Sequence, residues 1–137
     1  MKNIILFIIL FFLISCSMPV ENWYDIDISE IDCNKSDLNE ISKWVNKNID
    51  YVVDGRTEYP RVTLKKKYGE CRDQSVLMNA IFYQETRKKA DIAIGYYNGH
   101  RGKTHAVPYY NNHYYCNGSF EKLYIIEFDE IKYYFSL

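Results

Sequence analysis

One segment free of helix breakers constrains the fold of this chain more than any other feature. From Cys71 to about Lys88 the sequence contains neither glycine nor proline. Apolar residues cover most of its helical circumference: Val76, Leu77, Met78, Ala80, Ile81 and Phe82. A helix that is apolar nearly all round is buried, so we expect this segment to form the central helix of the domain.

The residues before this segment predict one amphipathic helix and a long loop. Asp37 followed by Glu40 is typical of a helix start, and apolar residues then recur at helical spacing. This pattern predicts a helix over 37–49. A short extended piece at 51–53 then leads into a predicted loop over 56–69.

After the central helix the apolar pattern changes to period two, which indicates strands. Turn signals separate the predicted strands, which are 92–96, 104–110, 113–116 and a final hairpin of 122–128 with 131–136. Helices followed by an antiparallel meander define an α+β fold, with the helices packed against one side of the sheet.

Three residues in this arrangement suit nucleophilic catalysis. Cys71 opens the central helix, where unpaired backbone N–H groups and the positive end of the helix dipole stabilise a thiolate. His105 lies early in the second strand and can take the thiol proton and return it to a leaving amine. Asn117 follows the neighbouring strand, so contact with His105 is plausible.

These residues belong to motifs that resemble the transglutaminase-like branch of the papain-like cysteine peptidase superfamily. The similar segments are Ile49-Asp50-Tyr51-Val52 with Asp54, Tyr59-Pro60, Thr63-Leu64, Gly69-Glu70-Cys71-Arg72-Asp73 and Thr104-His105-Ala106-Val107. The resemblance covers about 37–119. It implies a Cys-His-Asp/Asn triad, helices packed against an antiparallel sheet, and no cofactor.

The sequence departs from that pattern in ways that leave activity open. The third triad residue is usually Asp in this branch, whereas the best candidate here is Asn117. Pro108 removes a ladder donor soon after the histidine, so that strand bulges or lies at an edge. The sequence does not choose the oxyanion partner, for which the candidates are Tyr59, Tyr68 and Trp44.

The cysteines and Asp73 carry alternative interpretations. If Cys16 is lipidated, a Cys33–Cys116 disulfide leaves Cys71 free, whereas a Cys33–Cys71 disulfide does not. A buried, unreactive Cys71 is also open. A zinc site would need Cys71, His105, His113 and Cys116, but no paired ligand spacing supports one, so no metal is expected. Asp73 favours the helix dipole and is expected to be structural, to tune Cys71, or to contact the preceding loop.

The N-terminus predicts export and a lipid anchor. Lys2 precedes an apolar run over 4–14 that is too short to cross a bilayer as a helix. Leu13-Ile14-Ser15-Cys16 resembles a lipobox, which implies cleavage before Cys16 and lipidation of its thiol. We therefore expect a signal peptide over 1–15, a lipidated tether over 16–36 and a transglutaminase-like domain over 37–137. The anchor implies the cell membrane or the outer membrane, with the domain facing the periplasm or the exterior.

Charge and motifs together predict an enzyme of the cell envelope. The chain has 17 basic and 18 acidic residues, so no strong field attracts nucleic acid. The expected activity is that of a cysteine peptidase or amidase, or of a transglutaminase, on a protein, peptide or peptidoglycan substrate. The alternative is a catalytically degenerate lipoprotein that binds protein or peptidoglycan.

Overall fold

The computed structural model describes residues 24–97, 104–115 and 123–129. The described helices are α1 (Leu38–Asn48), α2 (Pro60–Lys66) and α3 (Cys71–Thr86). The strands are β1 (Asp50–Tyr51), β2 (Tyr68–Gly69), β3 (Asp91–Tyr97), β4 (Thr104–Tyr110), β5 (His113–Tyr114) and β6 (Leu123–Asp129). This mixture of helices and largely antiparallel sheet confirms the predicted α+β class.

Helix α3 is the centre of the fold. It runs from Cys71 to Thr86 and ends at Arg87, whose φ of 59° lies in the left-handed region. Its residues from Asp73 to Phe82 are all buried, and it packs against α1, α2 and β4. The prediction of a buried central helix, made from its apolar circumference, is therefore confirmed.

Helix α1 begins and ends close to its predicted bounds. The side chain of Asp37 accepts a hydrogen bond of 2.9 Å from the Asn39 amide and so caps the first turn. Leu38, Ile41 and Val45 are buried against the core. The helical spacing of these three residues is what directs α1 onto α3.

The predicted loop over 56–69 is wrong, because the chain forms α2 and β2 there. Pro60 occupies the first helical turn, where its fixed φ suits a helix and its missing N–H costs nothing. The helix is only seven residues long and stops at Lys67, which has a φ of 63°. A helix this short shows little periodicity in the sequence. Strand β2 then pairs in parallel with β1, Tyr51 lying opposite Gly69.

The four-stranded sheet has the order β5-β4-β3-β6. Strands β3, β4 and β5 follow the predicted meander, but β6 crosses to the far side of β3 instead of pairing with β5. Strand β5 has only two residues, so its outer edge offers little ladder for a further strand. The second strand of the predicted final hairpin, 131–136, lies outside the described residues.

The segment before α1 packs onto the domain, although the sequence placed it in the tether. Tyr24, Ile26 and Ile31 are buried in the main hydrophobic core. The Gln84 side-chain amide donates a hydrogen bond of 2.6 Å to the Tyr24 carbonyl. The acidic residues of this segment are typical of a spacer, whereas its apolar residues are what pack it onto the domain. In the part of the chain that the structure describes, no helix is long and apolar enough to cross a membrane.

Candidate active site

Cys71 is the first residue of α3, and two backbone amides lie near its sulfur. The N–H groups of Arg72 and Ala106 both lower the pKa of the thiol. Ala106 directly follows His105 on β4. The strand that carries the histidine therefore meets the nucleophile through its own backbone.

A buried hydroxyl fixes the same strand to the helix. Ser75 Oγ lies 2.7 Å from the Cys71 carbonyl oxygen and 2.8 Å from the Ala106 carbonyl oxygen. Both polar backbone groups of Ala106 thus face α3. In an antiparallel ladder the backbone N–H and C=O groups of successive residues point to opposite sides. The backbone groups of His105 therefore face β3, where Gly95 lies opposite.

Asp73 organises the backbone around the helix start. Its side chain is 1% exposed. One carboxylate oxygen accepts a hydrogen bond of 3.0 Å from the Glu70 amide, and the other accepts one of 2.8 Å from the Glu58 amide. Burial is the main effect and raises the pKa of Asp73, while these two N–H groups lower it. Asp73 therefore holds the helix N-terminus and the preceding loop together.

The motif residues around Asp73 make room for it. A Cβ atom at Gly69 would lie 2.7 Å from the Asp73 Cβ and 3.2 Å from the Thr63 Cγ2. Contacts this close are not tolerated, so any side chain at position 69 displaces the carboxylate. Thr63 itself is fully buried. The Thr-Leu and Gly-x-Cys-x-Asp motifs are thus parts of one packing arrangement.

Tyr51 is a site residue that the sequence did not single out. Burial raises the pKa of its hydroxyl and the nearby Cys71 raises it further, although 58% of the side chain is exposed. Pairing of β1 with β2 places Tyr51 beside Gly69, two residues before the cysteine. Tyr51 belongs to the Ile-x-Tyr motif segment. Only the β1–β2 pairing, which the sequence does not predict, brings it near Cys71.

The loop from Tyr51 to Tyr59 wraps over the start of α3, and we call it the 51–59 loop. The Glu58 amide attaches it by donating a hydrogen bond to Asp73, and two of its residues lie near the helix start, since Cys71 raises the pKa of Tyr51 and the Gly55 amide lowers that of Glu70. Gly55 has a φ of 70°, which a side chain would strain. The exposed residues between these positions form the surface next to the thiol.

Burial disfavours the charged forms of both Cys71 and His105. Burial is the largest effect on Cys71 and raises the pKa of its thiol, and the Glu70 charge raises it further. The amides of Ala106 and Arg72, and the Arg72 charge, lower the pKa without reversing the outcome. Burial also lowers the pKa of His105. The expected helix-terminus stabilisation of a thiolate is present but is outweighed by desolvation.

The other candidate residues fall elsewhere or beyond the described residues. Tyr59 precedes Pro60 at the start of α2, with Arg61 over its ring, and Tyr68 lies beneath Lys66. Lys67 lies over the Trp44 ring. Cys33 and Cys71 are free thiols, so they do not form the alternative disulfide. The predictions for Cys16, Cys116 and Asn117 concern residues outside the described part of the chain. Among the residues described, no group of three or more His, Cys, Asp or Glu could hold a metal ion.

A groove of about 890 Å³ lies between α1, α2 and the segment before α1. Its lining includes Cys33, Trp44 and Leu64, but neither Cys71 nor His105. Size alone would select this groove as a binding site. Cys71 and the strand that carries His105 instead meet through Ser75, so the chemistry of the residues locates the candidate active site at the start of α3.

Comparison with known proteins supports the fold. No family model matches the chain, and no curated protein matches it. A crystal structure from Cytophaga hutchinsonii, described as "a Putative Cysteine Protease", matches with a TM-score of 0.58 at 13% sequence identity. The match covers 90% of this chain and 51% of that one, so this chain spans about half its length. At this identity the similarity establishes a cysteine-protease-like fold and leaves the activity to the chemistry of the site.

Proposed function

We propose that this chain is a lipid-anchored, transglutaminase-like cysteine enzyme that acts on amide bonds of envelope proteins or peptides. The observation that carries the proposal is the Ser75 hydroxyl, which lies 2.7 Å from the Cys71 carbonyl oxygen and 2.8 Å from the Ala106 carbonyl oxygen. It joins the residue after the proposed base to the proposed nucleophile, at the N-terminus of a buried helix. The cysteine-protease-like fold supports the same interpretation.

The chemistry proceeds by nucleophilic catalysis without a cofactor. His105 removes the proton from the Cys71 thiol as the sulfur attacks the amide carbon and a carbon–sulfur bond forms. The imidazolium then gives that proton to the departing amine as the carbon–nitrogen bond breaks, which leaves a thioester. Water attacks the thioester, gives a proton to His105, and releases the acid and the free thiol. An amine in place of water would give transamidation, and hydrolysis is the default for a shallow site open to water.

Two further groups complete the proposed mechanism. The Tyr51 hydroxyl is proposed to donate a hydrogen bond to the oxyanion that forms after attack, because Cys71 is near enough to raise its pKa. Asn117 is proposed to accept a hydrogen bond from the His105 ring and fix its tautomer. Because burial raises the pKa of Cys71 and lowers that of His105, the proton is proposed to move during attack rather than before it.

The anchor limits which amides are within reach. Cys16 is proposed to carry the lipid after cleavage of residues 1–15. Tyr24 is already buried in the domain, so only seven residues lie between it and Cys16. The eight extended steps from Cys16 to Tyr24 span at most about 29 Å. The site therefore acts on envelope polymers and membrane neighbours, on the periplasmic or exterior face.

Alkylation of Cys71 across pH tests the pair. We expect the iodoacetamide rate of the full protein to rise as His105 loses its proton below pH 6.5 and then to reach a plateau. In His105→Ala the rate should be at least 10-fold lower at pH 7 and should rise only above pH 9, where the buried thiol ionises on its own.

Mass spectrometry assigns the labelled thiol, and Cys33→Ala controls for the other described free thiol. A wild-type rate that matches His105→Ala at every pH would overturn the enzyme and favour the alternative, a lipoprotein that keeps the fold as a binding module.

A further inference from the structure

Exposed apolar side chains of the described residues concentrate beside the nucleophile. Tyr51 is 58% exposed, Val52 40% and Val53 70%, and all three lie at the start of the 51–59 loop. Tyr59 and Tyr68 are also exposed and lie on the same β1–α2–β2 unit. Exposed apolar side chains gathered on one unit indicate an interaction site more than scattered single residues do.

The backbone at the same place has unused pairing capacity. The amides of Asp50 and Val52 donate to β2, to the carbonyls of Lys67 and Gly69, at 2.8 and 3.1 Å. Because successive residues of a strand alternate in direction, the amides of Tyr51 and Val53 point away from β2. In the described part of the chain, β1 pairs with no strand other than β2. Within the described residues its outer edge is therefore unpaired.

An open, apolar edge is a liability that proteins normally block with charge or proline. Here Tyr51 lies opposite Gly69, two residues before Cys71. A peptide added to this edge would run past the nucleophile with its carbonyl groups in the plane of the strand. The location next to the thiol gives the exposed edge a use that a purely structural strand would not have.

Resting on the proposed function, we propose that the substrate is an extended L-peptide with apolar side chains, whose backbone pairs with Tyr51 and Val53 at the outer edge of β1 and of the two residues that follow it. Its side chains pack against Val52 and Val53. A peptidoglycan stem fits less well, because its D-residues interrupt the alternation that strand pairing requires.

The test compares peptides of one length on the full protein in detergent. Acetyl-Val-Val-Ala-aminomethylcoumarin should be hydrolysed with a kcat/KM at least 10-fold above that of acetyl-Glu-Glu-Ala-aminomethylcoumarin. A version with D-valine at both positions, and one with N-methylated valines, should also lose at least 10-fold. These substrate changes leave the protein unaltered, so its folding does not enter the comparison.

Variants then locate the pairing. Val53→Pro removes the edge N–H and should raise KM for the Val-Val-Ala peptide about 10-fold, whereas Val53→Ala keeps the N–H and should change it less than 3-fold. Acylation by p-nitrophenyl acetate, which needs no strand, should be the same in both variants, and thermal unfolding should confirm that both are folded.

The two proposals fail differently. If p-nitrophenyl acetate gives no burst that Cys71→Ala abolishes, the proposed function is wrong. If the burst is intact but the Val-Val-Ala peptide is not hydrolysed, or the D-valine and N-methyl peptides react as well as it does, the edge-pairing inference is overturned. Equal effects of Val53→Pro and Val53→Ala would overturn it too.

Discussion

The two ends of α3 are held in place by different kinds of contact. At the N-terminal end, hydrogen bonds to the Asp73 carboxylate and from the Ser75 hydroxyl fix the backbone around Cys71. At the C-terminal end, rings do this: Tyr24 and Tyr83 have centroids 4.6 Å apart, and Phe82 and Tyr110 lie 5.1 Å apart. Hydrogen bonds fix direction as well as distance, whereas ring packing mainly supplies apolar burial.

This difference corresponds to what each end must do. A nucleophile has to be aimed, and an error of a fraction of an ångström in its position lowers the rate. The other end only has to keep the segment before α1 on the domain, and Lys89 over the rings of Tyr24 and Tyr83 adds to that contact. Substitutions at the first end should therefore change chemistry, and those at the second should change stability alone.

Asp73→Ala gives the largest expected effect. It leaves the buried amides of Glu58 and Glu70 without their acceptor, which should lower the free energy of unfolding by about 2–4 kcal/mol. Because the 51–59 loop and the start of α3 both lose their support, the p-nitrophenyl acetate burst rate should fall at least 100-fold. Chemical denaturation and burst kinetics measure the two quantities.

Asp73→Asn is the matched control, since it keeps the shape against Gly69 and one acceptor oxygen. It should lose less in both measurements. A burst rate that survives Asp73→Ala while stability falls would mean that the hydrogen bonds at this end are structural only, and the contrast between the two ends would disappear.

Tyr51→Phe should separate chemistry from stability at the N-terminal end. The side chain is 58% exposed, so the free energy of unfolding should change by less than about 0.5 kcal/mol. Loss of the hydroxyl beside the thiol should lower kcat about 10- to 100-fold, as for an oxyanion donor, with little change in KM. Steady-state kinetics on the Val-Val-Ala peptide measures this.

Tyr114→Phe serves as the comparison, because Tyr114 is also exposed but lies on β5 against Tyr109. It should leave kcat unchanged. If Tyr51→Phe raised KM and left kcat unchanged, the hydroxyl would bind substrate in the ground state instead of stabilising the oxyanion.

The sequence predicts much of the fold because its strongest signals are local. The missing breakers over 71–88 and the spacing of Leu38, Ile41 and Val45 report burial directly, and α3 and α1 follow. Helix α2 and the β1–β2 pairing were missed because each is too short to show a period. The crossing of β6 to β3 depends on which edge remains free, and this is a property of the assembled sheet.

The site divides in the same way. The order of the motifs predicts that Cys71 and the histidine strand lie close together. In the structure the Ser75 hydroxyl links the carbonyls of Cys71 and Ala106. The proximity of Tyr51 to the thiol required an unpredicted parallel pair. The net pKa of Cys71 required knowing how buried the sulfur is, because the helix dipole and desolvation act in opposite directions and only the structure supplies the second.

Tyr24→Leu gives the smallest expected effect and tests the C-terminal end. Loss of the ring contact with Tyr83 should lower the free energy of unfolding by about 1–2 kcal/mol at pH 7, while the burst rate at Cys71 stays the same. The pH dependence should also change. Burial raises the pKa of Tyr24 from 10.0 to about 12, so the unfolded chain ionises first as pH rises and wild-type stability is lost above pH 10.

Denaturation at pH 7 and pH 11 measures both effects, with Tyr24→Phe as the control that keeps the ring but not the hydroxyl. Tyr24→Phe should lose little stability at pH 7, and both variants should show a shallower alkaline loss than the wild type. A change in the Cys71 burst rate in either variant would mean that α3 transmits strain from one end to the other. The ring-packed end would then be part of the positioning system, because a rigid buried helix moves as a unit when either end shifts.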